Sequence, residues 1–136
     1  ELLAQLVESA KVSGWNVVQV QSLSEATECV VALTIDLGAK SLVHSTHEVM
    51  GHMRLSERLA NTKVTVIPIG LGRSMEQVAR MEVRKDSINA HIGITGVDFA
   101  IAETGSCVLI VRPGIGRLVS LLPPVHGSTW SYGPGF

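Results

Sequence analysis

Three histidines and a glutamate stand close together in the segment HSTHEVMGH: His44, His47, Glu48 and His52. Neutral imidazoles are common zinc ligands, and zinc peptidases place two histidines and a glutamate base in an HExxH helix. The spacing here is HExxxH, and five residues turn a regular helix by about 140°. The two imidazoles converge only if the helix bulges. Exposed histidines at the start of a helix are therefore the favoured interpretation, with no metal site; a zinc hydrolase through HEVMGH is the remote alternative.

A second set of reactive side chains lies between residues 93 and 126. Its members are Asp98, Glu103, Thr104 and Ser106, among the glycines Gly93, Gly96 and Gly105. Bare amides beside glycines can bind an anion, and a carboxylate can act as a base or a nucleophile. A turn with satisfied polar caps explains the same residues equally well. Arg117 and His126 could complete a pocket here, and His126 could equally be a surface histidine.

The composition limits what the chain can be. Its 136 residues are 46% hydrophobic and 17% charged, with a net charge of -1. This length fits a single domain spanning residues 1–136. The low fraction of charged residues argues against disorder. The net charge close to zero argues against nucleic acid as a partner. No run approaches the roughly 20 apolar residues of a membrane helix, so a cytoplasmic protein with no membrane partner is expected. The apolar excess predicts a homo-oligomer.

The two cysteines, Cys29 and Cys107, lie in apolar runs. That setting predicts reduced, buried thiols rather than a disulfide. Two cysteines cannot by themselves ligate an iron–sulfur cluster, which usually takes four. No cofactor is therefore expected in this chain.

Hydrophobic periodicity predicts alternating strands and helices over the first two thirds of the chain. A first helix ends near Gly14, and short apolar runs predict strands at residues 15–20, 40–43 and 63–69. Each strand leads to a helix that opens with a capping box. The boxes are Ser22 with Glu25, Ser45 with Glu48, and Ser74 with Gln77. The second of these helices is expected to continue to Leu59.

Strands that alternate with helices predict an α/β domain with a parallel sheet covered on both faces. Ligands bind beyond the carboxyl ends of such strands. These ends are expected at residues 21–24, 44–47 and 70–73, which include Ser45 and Thr46. Each leads into a helix N-terminus, which favours a small anion such as a carboxylate or phosphate.

The C-terminal third has glycines every few residues and no helical period. A β-hairpin is predicted, with strands at 107–111 and 117–122 joined by a turn at 112–116 and ended by Pro123 and Pro124. Residues 97–102 fit either a short helix or a strand. Residues 127–136 are rich in turn formers and are expected to be a loose or truncated tail.

The strings GITGVDFAIAETGSCVLI and GRLVSLLPPVH resemble the LUD domain family, the lactate-utilisation proteins that include lactate utilisation protein C. The segment KSLVHSTHEV is also similar to the family's strand-to-helix turn. The resemblance implies the NagB/RpiA/CoA transferase-like fold, a three-layer α/β domain shared by ribose-5-phosphate isomerase, glucosamine-6-phosphate deaminase and CoA transferases. The chain is shorter than whole family members, so its final strands are either truncated or divergent, or supplied by another chain.

The same resemblance implies a role in oxidising L-lactate to pyruvate beside partner subunits that carry iron–sulfur clusters. The chain would then be a cluster-free component that is not necessarily an enzyme alone. The alternative is an isomerase or CoA transferase type of enzyme acting on a sugar phosphate or acyl-CoA. By analogy of fold, Glu103 and Asp98 are the candidate catalytic residues. The candidate ligand-binding residues are Ser45, Thr46, Thr95, Gly96, Thr104, Gly105, Ser106, Arg117 and His126.

Overall fold

A computed structural model of the chain describes residues 1–69, 84–86, 88–110 and 117–131. Its helices include α1 (Leu2–Val12), α2 (Leu23–Asp36), α3 (Glu48–Met53), α4 (Leu55–Arg58) and α5 (Arg117–Leu121). Its strands are β1 (Ser41–Ser45), β2 (Thr65–Ile69), β3 (Ile92–Gly96), β4 (Phe99–Ile101), β5 (Ser106–Val108) and β6 (Val125–Thr129).

Four of the strands form a parallel sheet in the order β2-β1-β3-β6. The other two, β4 and β5, form a small antiparallel hairpin. Helices flank the sheet, so the predicted α/β class with a parallel sheet is confirmed. All four parallel strands end at the same edge, which brings the residues after β1 close to those after β3.

Apolar side chains cover both faces of the sheet, because successive residues of a strand point to opposite faces. On one face, Leu42 and Ile92 pack with Val49, Met53 and other residues of α2, α3 and α4. On the other face, Val43 packs with Val119 of α5. Burying each large aliphatic side chain stabilises the fold by roughly 1.5–3 kcal/mol. The carboxyl edge of the sheet is therefore supported by a packed apolar layer on each face.

The capping boxes have different outcomes. Ser22 caps α2 as predicted, since its side chain accepts a hydrogen bond from the Glu25 amide. The box predicted at Ser45 is wrong, because Ser45 ends β1 and His47 caps α3. The helix predicted to continue to Leu59 is broken at Arg54, whose φ of 50° is left-handed. Ser74 and Gln77 lie outside the described residues.

The strand predicted at residues 15–20 is absent. This segment has no regular secondary structure, and its Trp15 ring approaches the ring of His126 in β6. Its propensity for a strand is not matched by a ladder partner among the described residues, and propensity alone is a weak determinant. Residues 21–24 therefore do not follow a strand end, and residues 70–73 lie outside the described part of the chain.

A hairpin is present, and residues 107–108 of its predicted first strand belong to β5, but its partner strand is not the one predicted. Residues 97–102 contribute β4, which pairs with β5, whereas Arg117–Leu121 is the helix α5. Three apolar residues among the five of this segment fit a short half-buried helix as well as a strand, so the pattern does not separate the two structures. Residues 127–129, predicted to be part of the tail, belong to β6 beside β3. Residues 111–116 and 132–136 lie outside the described residues.

The two cysteines are free, but both are exposed rather than buried as predicted. Cys29 lies on α2, and Cys107 lies on β5. Apolar neighbours in sequence did not bury them, because a residue between apolar neighbours on a helix or a hairpin strand can face solvent.

Candidate functional site

The turn after β1 fixes the position and the tautomer of His47. The Ser45 side chain is fully buried, and its Oγ accepts a long hydrogen bond from the His47 amide, at 3.5 Å. His47 Nδ1 accepts a hydrogen bond from the Val49 amide at 3.3 Å and so caps α3. Since Nδ1 is the acceptor, the hydrogen of the neutral imidazole is on Nε2.

Asp98 lies opposite His47, just beyond the end of β3. His47 Nε2 is 3.8 Å from Asp98 Oδ1, and the two side chains are only 13% and 10% exposed. Asp98 Oδ2 accepts a hydrogen bond from the Ile110 amide at 2.8 Å, and the Asp98 amide donates to Val108. The backbone thus holds the carboxylate in one orientation. A donor, Nε2–H, and an acceptor, Oδ1, stand side by side at the carboxyl edge of the sheet.

Gly96, the last residue of β3, makes this approach possible. A Cβ at residue 96 would collide with the His47 ring and with Val49. The imidazole therefore lies directly against the backbone of β3, and any side chain at residue 96 would push it away from Asp98.

A second polar cluster lies between β3 and β6. Thr95 Oγ1 is 2.8 Å from His126 Nε2 and 3.3 Å from Ser128 Oγ, and Ser128 Oγ is 3.4 Å from the same nitrogen. Thr95 is fully buried, and the edge of Trp15 approaches the His126 ring. Burial lowers the pKa of His126 and so favours its neutral form.

His44 also has a lowered pKa. Desolvation by burial lowers it, opposed by a hydrogen-bonding contact between Nδ1 and the Ser45 carbonyl at 2.8 Å. The residue lies within β1, on the face opposite to Val43, and so is not at the strand end.

The residues of the AETGS motif lie at the far tip of the hairpin, where Thr104 Oγ1 donates to Ser106 Oγ at 2.8 Å. Gly105 has a φ of 67°, and its backbone packs against Ala10 of α1. Glu103 is exposed. Asp98 lies at the base of the hairpin, three residues from Ile101, which corresponds to about 10 Å of strand. The structure therefore does not bring the two predicted catalytic carboxylates together.

A cleft of about 800 Å³ opens beside the end of β6. Its wall is mostly apolar, with contributions from α1, residues 15–23 and the hairpin, and it includes the polar residues Gln21, His52 and Ser128. This volume is in the range of ligand pockets. Of the predicted ligand-binding residues, Gly105 lines this cleft.

The other predicted site residues are dispersed. Thr46 is exposed between β1 and α3, and Arg117 is exposed at the start of α5. His52 lies 3.9 Å from Glu48 on α3, away from the His47–Asp98 pair. Within the described ranges, no group of three or more His, Cys, Asp or Glu side chains could hold a metal ion. No described helix is long and apolar enough to cross a membrane.

Sequence reasoning missed two site residues. The sequence predicts His47 as an exposed histidine at a helix start, with zinc ligation as the remote alternative, and the signal of its actual position is Gly96, which leaves room for the ring. Ser128 was assigned to the tail, although its spacing of two residues from His126 would place both on one face of a strand.

Comparison with known proteins agrees with this fold. The model of the LUD domain family matches residues 3–127. The chain therefore belongs to the LUD domain family, which confirms the resemblance seen in its motifs. No solved structure matches it significantly.

Several curated proteins resemble parts of the chain. Lactate utilization protein B of Geobacillus kaustophilus is 27% identical over 164 residues, covering 89% of this chain and 34% of that protein. The Bacillus subtilis protein of the same name is 58% identical over 45 residues, covering 33% and 9%. The uncharacterized electron transport protein YkgF of Escherichia coli is 43% identical over 53 residues, covering 39% and 11%. The chain thus spans about a third or less of the length of these relatives.

Proposed function

We propose that this chain is a cluster-free component of a system that oxidises L-lactate to pyruvate, and that it binds the hydroxy acid between His47 and Asp98. The electrons of the oxidation would pass to partner subunits that carry iron–sulfur clusters. Membership of the LUD family and the names of the lactate-utilisation relatives support the general role. The His47–Asp98 pair is the single observation that supports the binding site.

The chemistry of the pair matches a 2-hydroxy acid. The distance of 3.8 Å between Nε2 and Oδ1 is longer than a direct N–H···O hydrogen bond, so ligand atoms can bridge the two groups. The His47 Nε2–H donates to the ligand carboxylate, and Asp98 Oδ1 accepts from the ligand hydroxyl. Pyruvate has a carbonyl in place of this hydroxyl and cannot donate to Asp98. The site should therefore prefer L-lactate to pyruvate.

The low exposure of both groups strengthens these hydrogen bonds. Polar interactions with little competition from water are worth more than the same interactions at the surface. Losing a hydrogen bond to a charged group typically costs about 1.5–3 kcal/mol, or roughly 10- to 150-fold in affinity.

Isothermal titration of the purified chain with L-lactate and with pyruvate tests the proposal. We expect Asp98→Asn to weaken L-lactate binding by at least about tenfold and to narrow its preference over pyruvate. His47→Gln should weaken both ligands, because both carry the carboxylate. Asp36→Asn at the end of α2 and His91→Gln before β3 are matched controls and should bind like the parent protein. Equal affinity of the parent protein for L-lactate and pyruvate, or unchanged binding in Asp98→Asn, would contradict the proposal.

A further inference from the structure

The Thr95–His126–Ser128 cluster has the parts of a hydroxyl nucleophile and its base. Ser128 is partly exposed and lines the cleft, whereas Thr95 is fully buried behind it. His126 Nε2 is 3.4 Å from Ser128 Oγ directly, and Thr95 Oγ1 bridges the two with contacts of 3.3 and 2.8 Å. Long contacts of this kind are common before a substrate is bound.

The cleft indicates what such a group would act on. Its wall carries the aliphatic side chains of Leu3, Leu6, Val7, Val18, Val20 and Leu23, and among the described residues that line it there is no lysine or arginine. Such a wall suits a neutral, apolar chain better than a free small anion. The N-terminal residues of α2, Ser22 and Leu23, also line this cleft, so the positive end of a helix dipole borders it.

We propose that Ser128, with His126 as its base and Thr95 as the bridging hydroxyl, hydrolyses an acyl ester or acyl thioester whose apolar chain lies in the cleft. This activity is independent of the hydroxy-acid site at His47 and Asp98.

The proposed hydrolysis needs only water as a second reactant and no cofactor. Ser128 Oγ bonds to the acyl carbonyl carbon while its proton passes to His126 Nε2, directly or through Thr95. The bond from that carbon to the alcohol oxygen or thiol sulfur breaks, and the leaving group takes the proton from His126. Water then attacks the acyl-serine, its proton returns through His126 to Ser128, and a carboxylic acid is released. A neutral imidazole is needed as the acceptor, and burial of His126 favours that form.

Hydrolysis of p-nitrophenyl acetate and octanoate, and of acetyl-CoA and octanoyl-CoA, tests the proposal. We expect kcat/KM to rise roughly fourfold for each CH2 group that the cleft buries. Turnover of the p-nitrophenyl esters alone identifies an esterase, and turnover of the CoA compounds identifies a thioesterase; either result supports the site. Ser128→Ala and His126→Gln should each lose about a hundredfold or more, and Thr95→Val less. Ser56→Ala, on the surface of α4, is the matched control and should retain the parent rate.

Labelling with a fluorophosphonate gives a readout that does not depend on the variants folding. Peptide mass spectrometry of the labelled parent protein should place the adduct on Ser128. An adduct on another residue, no adduct at all, or parental turnover by Ser128→Ala overturns the proposal.

Discussion

His47 and Asp98 face each other across the carboxyl ends of two neighbouring parallel strands, with Nε2 3.8 Å from Oδ1. The chain brings them together through the parallel pairing of β1 with β3, and each is held by a backbone amide, that of Val49 or of Ile110. Their geometry therefore depends on the pairing of β1 with β3 and on these two backbone amides. The close packing at the end of β3 leads to the first prediction.

Gly96→Ala should damage the site and the fold together. The new methyl group would collide with the His47 ring and Val49, which should lower the free energy of unfolding by about 1–3 kcal/mol. L-lactate binding should fall as His47 moves. Urea unfolding and isothermal titration measure the two effects. Gly51→Ala on α3 is the control, since nothing lies within 4 Å of its Cβ position, and it should stabilise the protein by up to about 1 kcal/mol. Equal stability of the two variants would show that the packing of Gly96 against His47 is wrong.

Gly105→Ala should loosen the contact between the hairpin and α1. Residue 105 has a φ of 67°, and its Cβ would overlap the backbone of Ala10. The loss in free energy of unfolding should exceed the strain of about 1 kcal/mol for a left-handed alanine, because the backbone atoms of Ala10 cannot move away without disturbing α1. Hydrogen exchange should become faster in α1. Gly14→Ala is the control, with a φ of 92° but open space around it, so it should show the conformational strain alone. Exchange in α1 as slow as in the parent protein would argue against this docking.

Stability should depend on pH through His44 and His126. Burial lowers the pKa of both below the ordinary value of 6.5. Between the lowered value and 6.5 the unfolded chain binds more protons than the folded one, so the free energy of unfolding rises with pH through this window and levels off above it. The slope is at most about 1.4 kcal/mol per pH unit for each histidine. Urea unfolding from pH 4.5 to 8 should show a shallower rise in a His44→Gln, His126→Gln double variant. An unaltered slope in that variant would show that groups other than His44 and His126 cause the pH dependence of stability.

Ser22→Ala should destabilise α2. The Ser22 side chain accepts from the Glu25 amide at 3.2 Å, and the Glu25 carboxylate accepts from the Gln21 amide at 2.9 Å. Removing the cap should lower the free energy of unfolding by about 1 kcal/mol. Ser24→Ala, in the first turn of the same helix and exposed, tests serine removal without cap loss and should change stability by less than half as much. A larger loss of stability in Ser24→Ala than in Ser22→Ala would mean that Ser22 is not the N-cap of α2.

Sequence reasoning gave the fold where local and tertiary signals agree. The apolar runs form the central strand β1 and its neighbour β2. The Ser22 cap depends only on contacts with residues of its own helix. Sequence reasoning failed where contacts with other elements decide between helix, strand and irregular structure. Residues 15–20 have strand propensity without a ladder partner among the described residues, and Arg117–Leu121 has an equally apolar pattern but forms a helix against β3. Five or six residues carry too few periods to separate the two structures.

The site was predictable in part. Both the glycine-rich stretch and the family motif point to Asp98, and the strand pattern predicts a strand end at residues 44–47, which include Ser45 at the end of β1. The pairing of Asp98 with His47 could not be predicted, because it depends on which strand lies beside β1, and strand order is a tertiary property. The AETGS residues were grouped with Asp98 for their closeness in sequence, whereas an extended hairpin carries them away from it.

The most direct test of the hydroxy-acid site is NMR of the protein with ¹⁵N-labelled histidine imidazoles, titrated with L-lactate. The Nε2 resonance of His47 should move on addition of L-lactate, and this movement should be much smaller in Asp98→Asn. The resonances of His91, at the opposite end of the sheet, should stay in place. Movement of other histidines while His47 stays fixed would contradict the proposed binding of L-lactate between His47 and Asp98.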